Sequence, residues 1–438
     1  MRNAVASARD TLRTQLWPLP CLGVVAAVAA GVLLPRLESQ WSRSLPPWLN
    51  DALFGGDAGA ARTLLDALST SLVTVTSLTF SLTVVTLQLA SSQFSPRLLR
   101  TFTSDIFVQS TLAVFLATFT YALTVLRGVR NNDGVPRISV TVAFVLGIAS
   151  MLCLVLFLAH LARKIRVETM LRDVHQEARA TLRLATTPRD YDANRRPSIP
   201  KTPERAVCLS APSSGFLTRI DQAELRSAAI KADAYVVIDC YPGSSLVQGV
   251  PIGMAWADHD TLDDAVIEQL QHAVDSAIKT GHERTAAQDV GYGLRQLADV
   301  ANKALSPGIN DPTTAVHALG HISALLCELA ARDLGPTLLR DEDRVRVVLN
   351  RPDLAELLDL SITQPRHYGS ADLMVMLRLF RLLEELAYHL DDTAPIRAQR
   401  DRLWADIAHS DFDSNQKSQL ERAAQRIEHA INHGVQRR

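Results

Sequence analysis

LLDALSTSLVTVTSLTFSLTVVTLQLASSQFSPRLLR, residues Leu64 to Arg100, decides how the rest of the chain is read. Between Leu64 and Ala90 the only charge is Asp66, so the stretch is long enough to cross a bilayer with some tilt. It is also crowded with hydroxyls. At helical spacing Thr70, Thr74, Ser77, Ser81, Gln88 and Ser92 fall on one narrow stripe. Thr76, Thr79, Thr83 and Thr86 fall on a second, roughly opposite. Small polar residues allow close helix approach and interhelical hydrogen bonds, or they face water. Two readings therefore stand: both stripes pack against other helices, or one packs and the other lines an aqueous path in an oligomer.

Working outward, Met1 to Gln15 is a short polar segment, and Leu16 to Leu34 opens with Trp17-Pro18 and reads as a first span. It lacks a convincing small-residue cleavage site and is followed by further spans, which argues against a signal peptide. The second span is 64–90, the third 106–126 with Ser104 or Asp105 as its cap, and the fourth 138–161. Between the second and third, Ser95-Pro96 is a plausible restart of a short helix carrying Arg97 and Arg100. Four spans (membrane domain 16–164) put both termini on one side of the bilayer. Arg2, Arg9, Arg13, Arg97, Arg100, Arg163, Lys164 and Arg166 lie on one side, against Arg36, Arg43, Arg62, Arg127, Arg130 and Arg137 on the other. That weak excess agrees with cytoplasmic termini and a cytosolic C-terminal body. Apart from Asp66 and His160, near span ends, no ionisable group lies inside a span, which disfavours an ion-coupled pump.

The whole chain has 438 residues and a net charge of −1, and its 5% aromatic content and near-neutral balance argue against nucleic acid as a partner. Five scattered cysteines without a CxxC favour reduced thiols over a disulfide framework or zinc site.

Beyond the spans, 165–204 reads as a helical extension and a proline-rich linker. Residues 205–258 read as a small β-rich domain, with AYVVIDC (Ala234 to Cys240) its clearest strand. The cadence SGFLTRID … GSSLVQGVPIGMAW resembles a barrel-sandwich hybrid, a small barrel closed by two hairpin halves, without the lysine that would carry a lipoyl or biotinyl arm. From residue 259 onward the chain reads as a helical domain. The fold expected is thus an α-helical integral membrane protein of four transmembrane helices with a cytosolic α+β region.

Within that last region, Ser306-Pro307-Gly308-Ile309-Asn310-Asp311-Pro312 stops one helix and starts the next, with Asp311 as N-cap and Pro312 at the first helical position. Asp289, Arg295, Asp299, Ser306, Asn310 and Asp311 are the candidates there, either for a small-ligand pocket or for salt bridging and capping at an interface. His317 and His321 have metal-ligand spacing, but HALGH lacks the glutamate of the zincin motif, and ordinary packed or surface histidines are favoured. No metal, cofactor or catalytic set is expected.

Four blocks resemble one family, the bacterial predicted membrane proteins of the domain-of-unknown-function 2254 family. They are LQLASSQFSPRLLR (87–100), FLATFTYALTVLR (115–127), QDVGYGLRQLADVANKALSPGINDPTTA (288–315) and NRPDLAELLDLSI (350–362). The resemblance implies a membrane protein with a cytosolic C-terminal region and brings no activity with it. The leading functional expectation is an oligomeric ion channel lined by Thr70, Thr74, Ser77, Ser81, Gln88 and Ser92, with Arg97 and Arg100 at its inner mouth. The other is a membrane-anchored sensor or scaffold binding a partner or small ligand. Expected partners are the lipid bilayer, further copies of the chain, and ions or a small cytosolic ligand.

Overall fold

The computed structural model describes residues 17–41, 53–93, 105–129, 135–189, 199–258 and 261–436. The first polar segment, Ser95-Pro96, Arg97, Arg100, His259 and the Ser92 side chain therefore lie outside the described residues. The chain divides into two compact units, Met1–Thr169 and Met170–Arg438.

The first unit holds four helices, α1 (Pro18–Trp41), α2 (Ala58–Gln93), α3 (Ile106–Gly128) and α4 (Arg137–Lys164). Each is long and apolar enough to cross a membrane. All four run past their expected C-terminal bounds. Helix α3 is the hub, packing against the other three. Where α1 meets α3, a Cβ on Gly31 would stand 2.8 Å from the Thr124 side chain, so glycine sets how closely these helices approach. Small residues (Ala27, Ala61, Ala122 and Ala143) complete the packed centre with Leu65, Tyr121 and Val125. The outward surface is apolar: on α4 alone Val145, Met151, Leu152, Val155 and Leu156 are exposed, a distribution that only a bilayer makes favourable.

Polar groups close both ends of this bundle. At one end Asp105 caps α3 by accepting from the Phe107 N–H (2.9 Å), as its sequence position suggests. The same carboxylate holds His160 Nε2 at 2.8 Å and Lys164 Nζ at 3.7 Å. At the other end Arg62 donates to the Val129 carbonyl (2.9 Å), and Glu38 reaches the start of α4.

The second unit is α+β. After α5 (Val167–Ala185) come β1 (Val207–Ser210), β2 (Gly215–Ile220), α6 (Gln222–Lys231), β3 (Ala234–Ile238), β4 (Ser245–Leu246) and β5 (Pro251–Ala257). Then follow α7 (Asp264–Ala277), β6 (Ile278–Gly281), α8 (Val290–Ala304), α9 (Pro312–Ala330), β7 (Thr337–Asp341) and β8 (Arg344–Leu349). Helices α10 (Leu354–Tyr368), α11 (Leu373–Ala387), α12 (Ala394–Ala408) and α13 (Ser414–Gln436) finish the chain.

The strands form two open sheets, β1-β5-β3-β8-β7 and β4-β2-β6. Among the described residues these sheets form no closed barrel, so the barrel-like detail of the sequence reading has no counterpart in the observed strand order. Strands β6, β7 and β8 lie beyond residue 258, in a stretch read as helical. The β7–β8 hairpin escapes a sequence reading because its turn places Glu342, a non-glycine, at a positive φ of 50°, without the Asn-Gly or Asp-Gly signal. Strand β8 pairs in parallel with β3 (Val236 with Val347, Ile238 with Leu349), a partnership more than a hundred residues distant in sequence. Being flanked on both sides, β8 is buried from Val345 to Leu349. The core beneath comprises Leu217, Leu225, Val236, Ile238, Leu270, Val274 and Val347.

Candidate ligand site

The hydroxyls of α2 divide by burial. Thr79, Thr83 and Thr86 are buried and Thr76 is half-buried, whereas Thr70, Thr74, Ser77, Ser81 and Gln88 are exposed. Thr76, Thr83 and Thr86 donate to carbonyls one turn back, at 2.6–2.8 Å. Such bonds let a hydroxyl sit in an apolar interior at little cost. On the exposed face Thr74 Oγ1 reaches the Thr70 carbonyl at 3.3 Å. One stripe is therefore packing, and the other faces away from its own chain.

In the second unit the six candidates from the sequence do not converge. Helix α8 has 15 residues, so its ends stand about 22 Å apart. Asp289 sits at its start, while Ser306, Asn310 and Asp311 lie past its end. Asp311 caps α9 by accepting from the Thr314 N–H (3.1 Å) and Oγ1 (2.6 Å), and these bonds hold its carboxyl below the ordinary value. Ser306 Oγ donates to the Lys303 carbonyl (2.6 Å). Asn310 adopts the left-handed conformation, φ 50°, at the exposed tip. The corner is a built turn, with each of these groups engaged in shaping it.

Asp289 is different. It is 4% exposed, and Arg284 grips it at 2.6 and 2.8 Å. Burial pushes its carboxyl above the ordinary value, against the pull of Arg284 and of the Gly291 and Tyr292 amides. The pair supports the turn after β3: a Cβ on Gly243 (φ 97°) would stand 2.3 Å from the Asp289 carboxylate, so only glycine fits there.

That turn, Tyr241-Pro242, forms one wall of a cavity of about 810 Å³. Leu349 at the end of β8, with Asn350, Arg351 and Pro352 after it, forms another. Gln288 and Val290 at the start of α8, Ile220 at the end of β2, Asp333, Leu334, Thr337, Leu338 and Arg340 around β7, and Arg183 to Thr187 at the end of α5 also line it. The cavity thus opens at the carboxyl ends of the parallel strands β3 and β8, where α/β sheets hold their ligands. Its volume is that of a small-molecule site. Gln288 is fixed by the β2 edge, accepting from the Ile220 N–H (3.0 Å), and Asn350 donates to Asp239 (3.0 Å). Arg295 lies elsewhere, in a neighbouring groove with Glu356, Asp359 and Arg402 that shares only Tyr241 with the cavity.

Arg351 is the residue the sequence reading passes over, although it stands within the quoted NRPDLAELLDLSI block. Its signal is positional: it follows a strand and precedes a helix whose start is closed by a capping box, Asp353 with Glu356. Among the described residues no three His, Cys, Asp or Glu side chains gather as a metal set. His321 instead meets His175 of α5, ring centroids 5.1 Å apart.

Comparison with known proteins agrees with the membrane assignment. The family model described as "Predicted membrane protein (DUF2254)" matches residues 13–385. Uncharacterized proteins of Mycobacterium bovis and Mycobacterium tuberculosis are 34% identical over 400 residues, covering 90% of this chain and 75% of theirs. No solved structure matches.

Proposed function

This chain belongs to the DUF2254 family of predicted membrane proteins, and from that premise we propose that it is a membrane-anchored binding protein that senses a small molecule rather than transforming one. The observation that carries this reading is the cavity of about 810 Å³ at the carboxyl ends of β3 and β8, walled by two separate loops and a helix start. With four spans, a bacterial inner-membrane location and both termini cytoplasmic, the second unit would sample cytosolic metabolites.

The test is thermal unfolding of the full-length protein in nanodiscs against a panel of charged and uncharged metabolites. A ligand at a hundred times its Kd stabilises by about 2.7 kcal/mol. A rise in Tm that disappears when Leu338→Trp fills the cavity is the expected result. No shift from any compound, with the protein folded, removes the reading.

One observation favours a second reading, an oligomeric channel. Thr70, Thr74, Ser77, Ser81 and Gln88 share the exposed side of a membrane-crossing helix, where a homo-oligomer would turn them towards a shared path. Planar-bilayer recording tests it: Ser77→Leu with Ser81→Leu abolishes current and leaves assembly intact if this face lines the path. Unchanged current excludes that face.

A further inference from the structure

We propose that the cavity beside β3 and β8 binds a phosphate monoester with an uncharged organic body, its phosphate anchored on Arg351 and steered by Arg340. The proposal rests on the binding reading above and names the ligand class for the same site.

Four charged side chains line the cavity: Arg183, Arg340, Arg351 and Asp333. Arg183 is already committed, its Nε 3.1 Å from Glu328. Neither Arg340 nor Arg351 enters an ion pair among the described residues, while most other arginines of this unit do. Arg351 is partly buried, and its desolvation pushes the guanidinium below its ordinary value, with Asp333 as the opposing influence. A guanidinium withdrawn from water without a hydrogen-bonded carboxylate is costly unless an anion completes it.

Thr337, whose backbone pairs with Leu349 two residues before Arg351, lines the same cavity. Its Oγ1 is buried without a hydrogen-bond partner. A hydroxyl on β7 without a hydrogen-bond partner and, just past the paired strand β8, a guanidinium outside any ion pair among the described residues match the several acceptor oxygens of a phosphate. The helix that follows cannot supply the positive charge: the Glu356 amide at the start of α10 is taken by Asp353 at 2.7 Å. Arg340 is exposed on β7, three residues beyond Thr337, and suits attraction of an anion towards the cavity.

The remaining lining is unlike a site for free inorganic anion. Ile220, Leu334, Leu338 and Leu349 present apolar surface, and Tyr241 a ring. The space left after one phosphate is filled holds an organic body of sugar or nucleoside size. A phosphorylated lipid headgroup offers the same chemistry from a second source.

The experiment measures binding to the full-length protein in nanodiscs of neutral lipid. The probes are adenosine monophosphate and glucose 6-phosphate, with adenosine and glucose as their uncharged counterparts. A phosphate ester is expected to bind about 10- to 100-fold more tightly than its counterpart, the range of one charge-assisted contact. Arg351→Gln should abolish that difference, Arg351→Lys should restore part of it, and Arg340→Gln should lower affinity chiefly at low salt. Should Arg351→Gln fail to fold, the lysine and Arg340 variants still decide.

If the soluble esters do not bind but phosphatidic acid in the nanodisc stabilises the wild type and not Arg351→Gln, the phosphate is a lipid's and the assignment holds. Inaction of both sources overturns it, as does equal binding by Arg351→Gln. Uncharged ligands that bind wild type and Arg351→Gln alike, and are blocked by Leu338→Trp, overturn the phosphate assignment while leaving the binding reading in place.

Discussion

Glu38, at the end of the first membrane helix, caps the fourth by receiving both the backbone N–H (3.2 Å) and the hydroxyl (3.1 Å) of Ser139. The Ile138 N–H adds a third bond at 2.8 Å. The carboxylate is 9% exposed and satisfies orphan amides that the helix cannot satisfy itself, at the end where a carboxylate complements the helix dipole. Tyr121 tightens the same corner, its hydroxyl donating to the Ser139 carbonyl at 3.1 Å.

Glu38→Ala should therefore destabilise the membrane unit by about 1–3 kcal/mol, the sum of a lost cap and amides left unpaired away from water. Glu38→Gln, which keeps an acceptor, should cost less. Detergent or urea unfolding of the purified protein checks both. Equal stability of wild type and Glu38→Ala would mean that water replaces the carboxylate at that end.

In the second unit α8 lies on α5 through a contact with no spare room. A Cβ on Gly293 would stand 2.2 Å from the Cβ of Ala178 and 3.2 Å from its Cα. Gly293→Ala should force the two helices apart and cost about 1–3 kcal/mol, more than the gain in helix propensity of about 1 kcal/mol offsets. Shortening the neighbour with Ala178→Gly should recover part of the loss in the double variant, readable as a coupling in Tm.

The membrane half of this fold was legible because a bilayer imposes length and hydropathy on every span. The cap of α3 was narrowed to Ser104 or Asp105, and the structure gives Asp105. The division of the α2 hydroxyls was half legible: period 3.6 separates Thr79 and Thr83 from Ser77 and Ser81, but only packing says which pair is buried. The open sheet was hidden, because β8 finds its partner β3 across more than a hundred residues and its hairpin turns at Glu342 without glycine. The cavity was hidden for the same reason. Its walls come from Tyr241, Gln288, Thr337 and Arg351, which are adjacent only once that parallel pairing exists.

The SPGINDP turn is shaped by its own side chains. Asp311 closes the start of α9 through Thr314, and the turn lies past the far end of α8 from Gln288 and the cavity. Asp311→Ala should lower stability by about 0.5–2 kcal/mol and leave ligand affinity unchanged. Because Thr314 holds the carboxyl below its ordinary value, the stabilisation is present above that value and fades as pH falls through the folded one. Calorimetric Tm and a binding isotherm on one preparation separate the two effects.

His175 of α5 and His321 of α9 give the second unit an acid sensitivity of opposite origin. Burial is the first cause holding each ring below its ordinary value; Arg179 adds to it at His175, and at His321 the charges of His175 and His317 do. The His321 backbone and Glu328 oppose the effect at His175. Both rings are then neutral in the folded protein at a pH where the unfolded chain already binds protons. Stability is fully present above the unfolded value, near pH 6.5, and falls as pH drops below it towards the lower folded values. Tm measured from pH 8 to 5 should decline through that window, and His321→Gln should flatten the decline by removing one titrating ring and the like charge beside the other. An undiminished slope in that variant would assign the acid sensitivity to other groups.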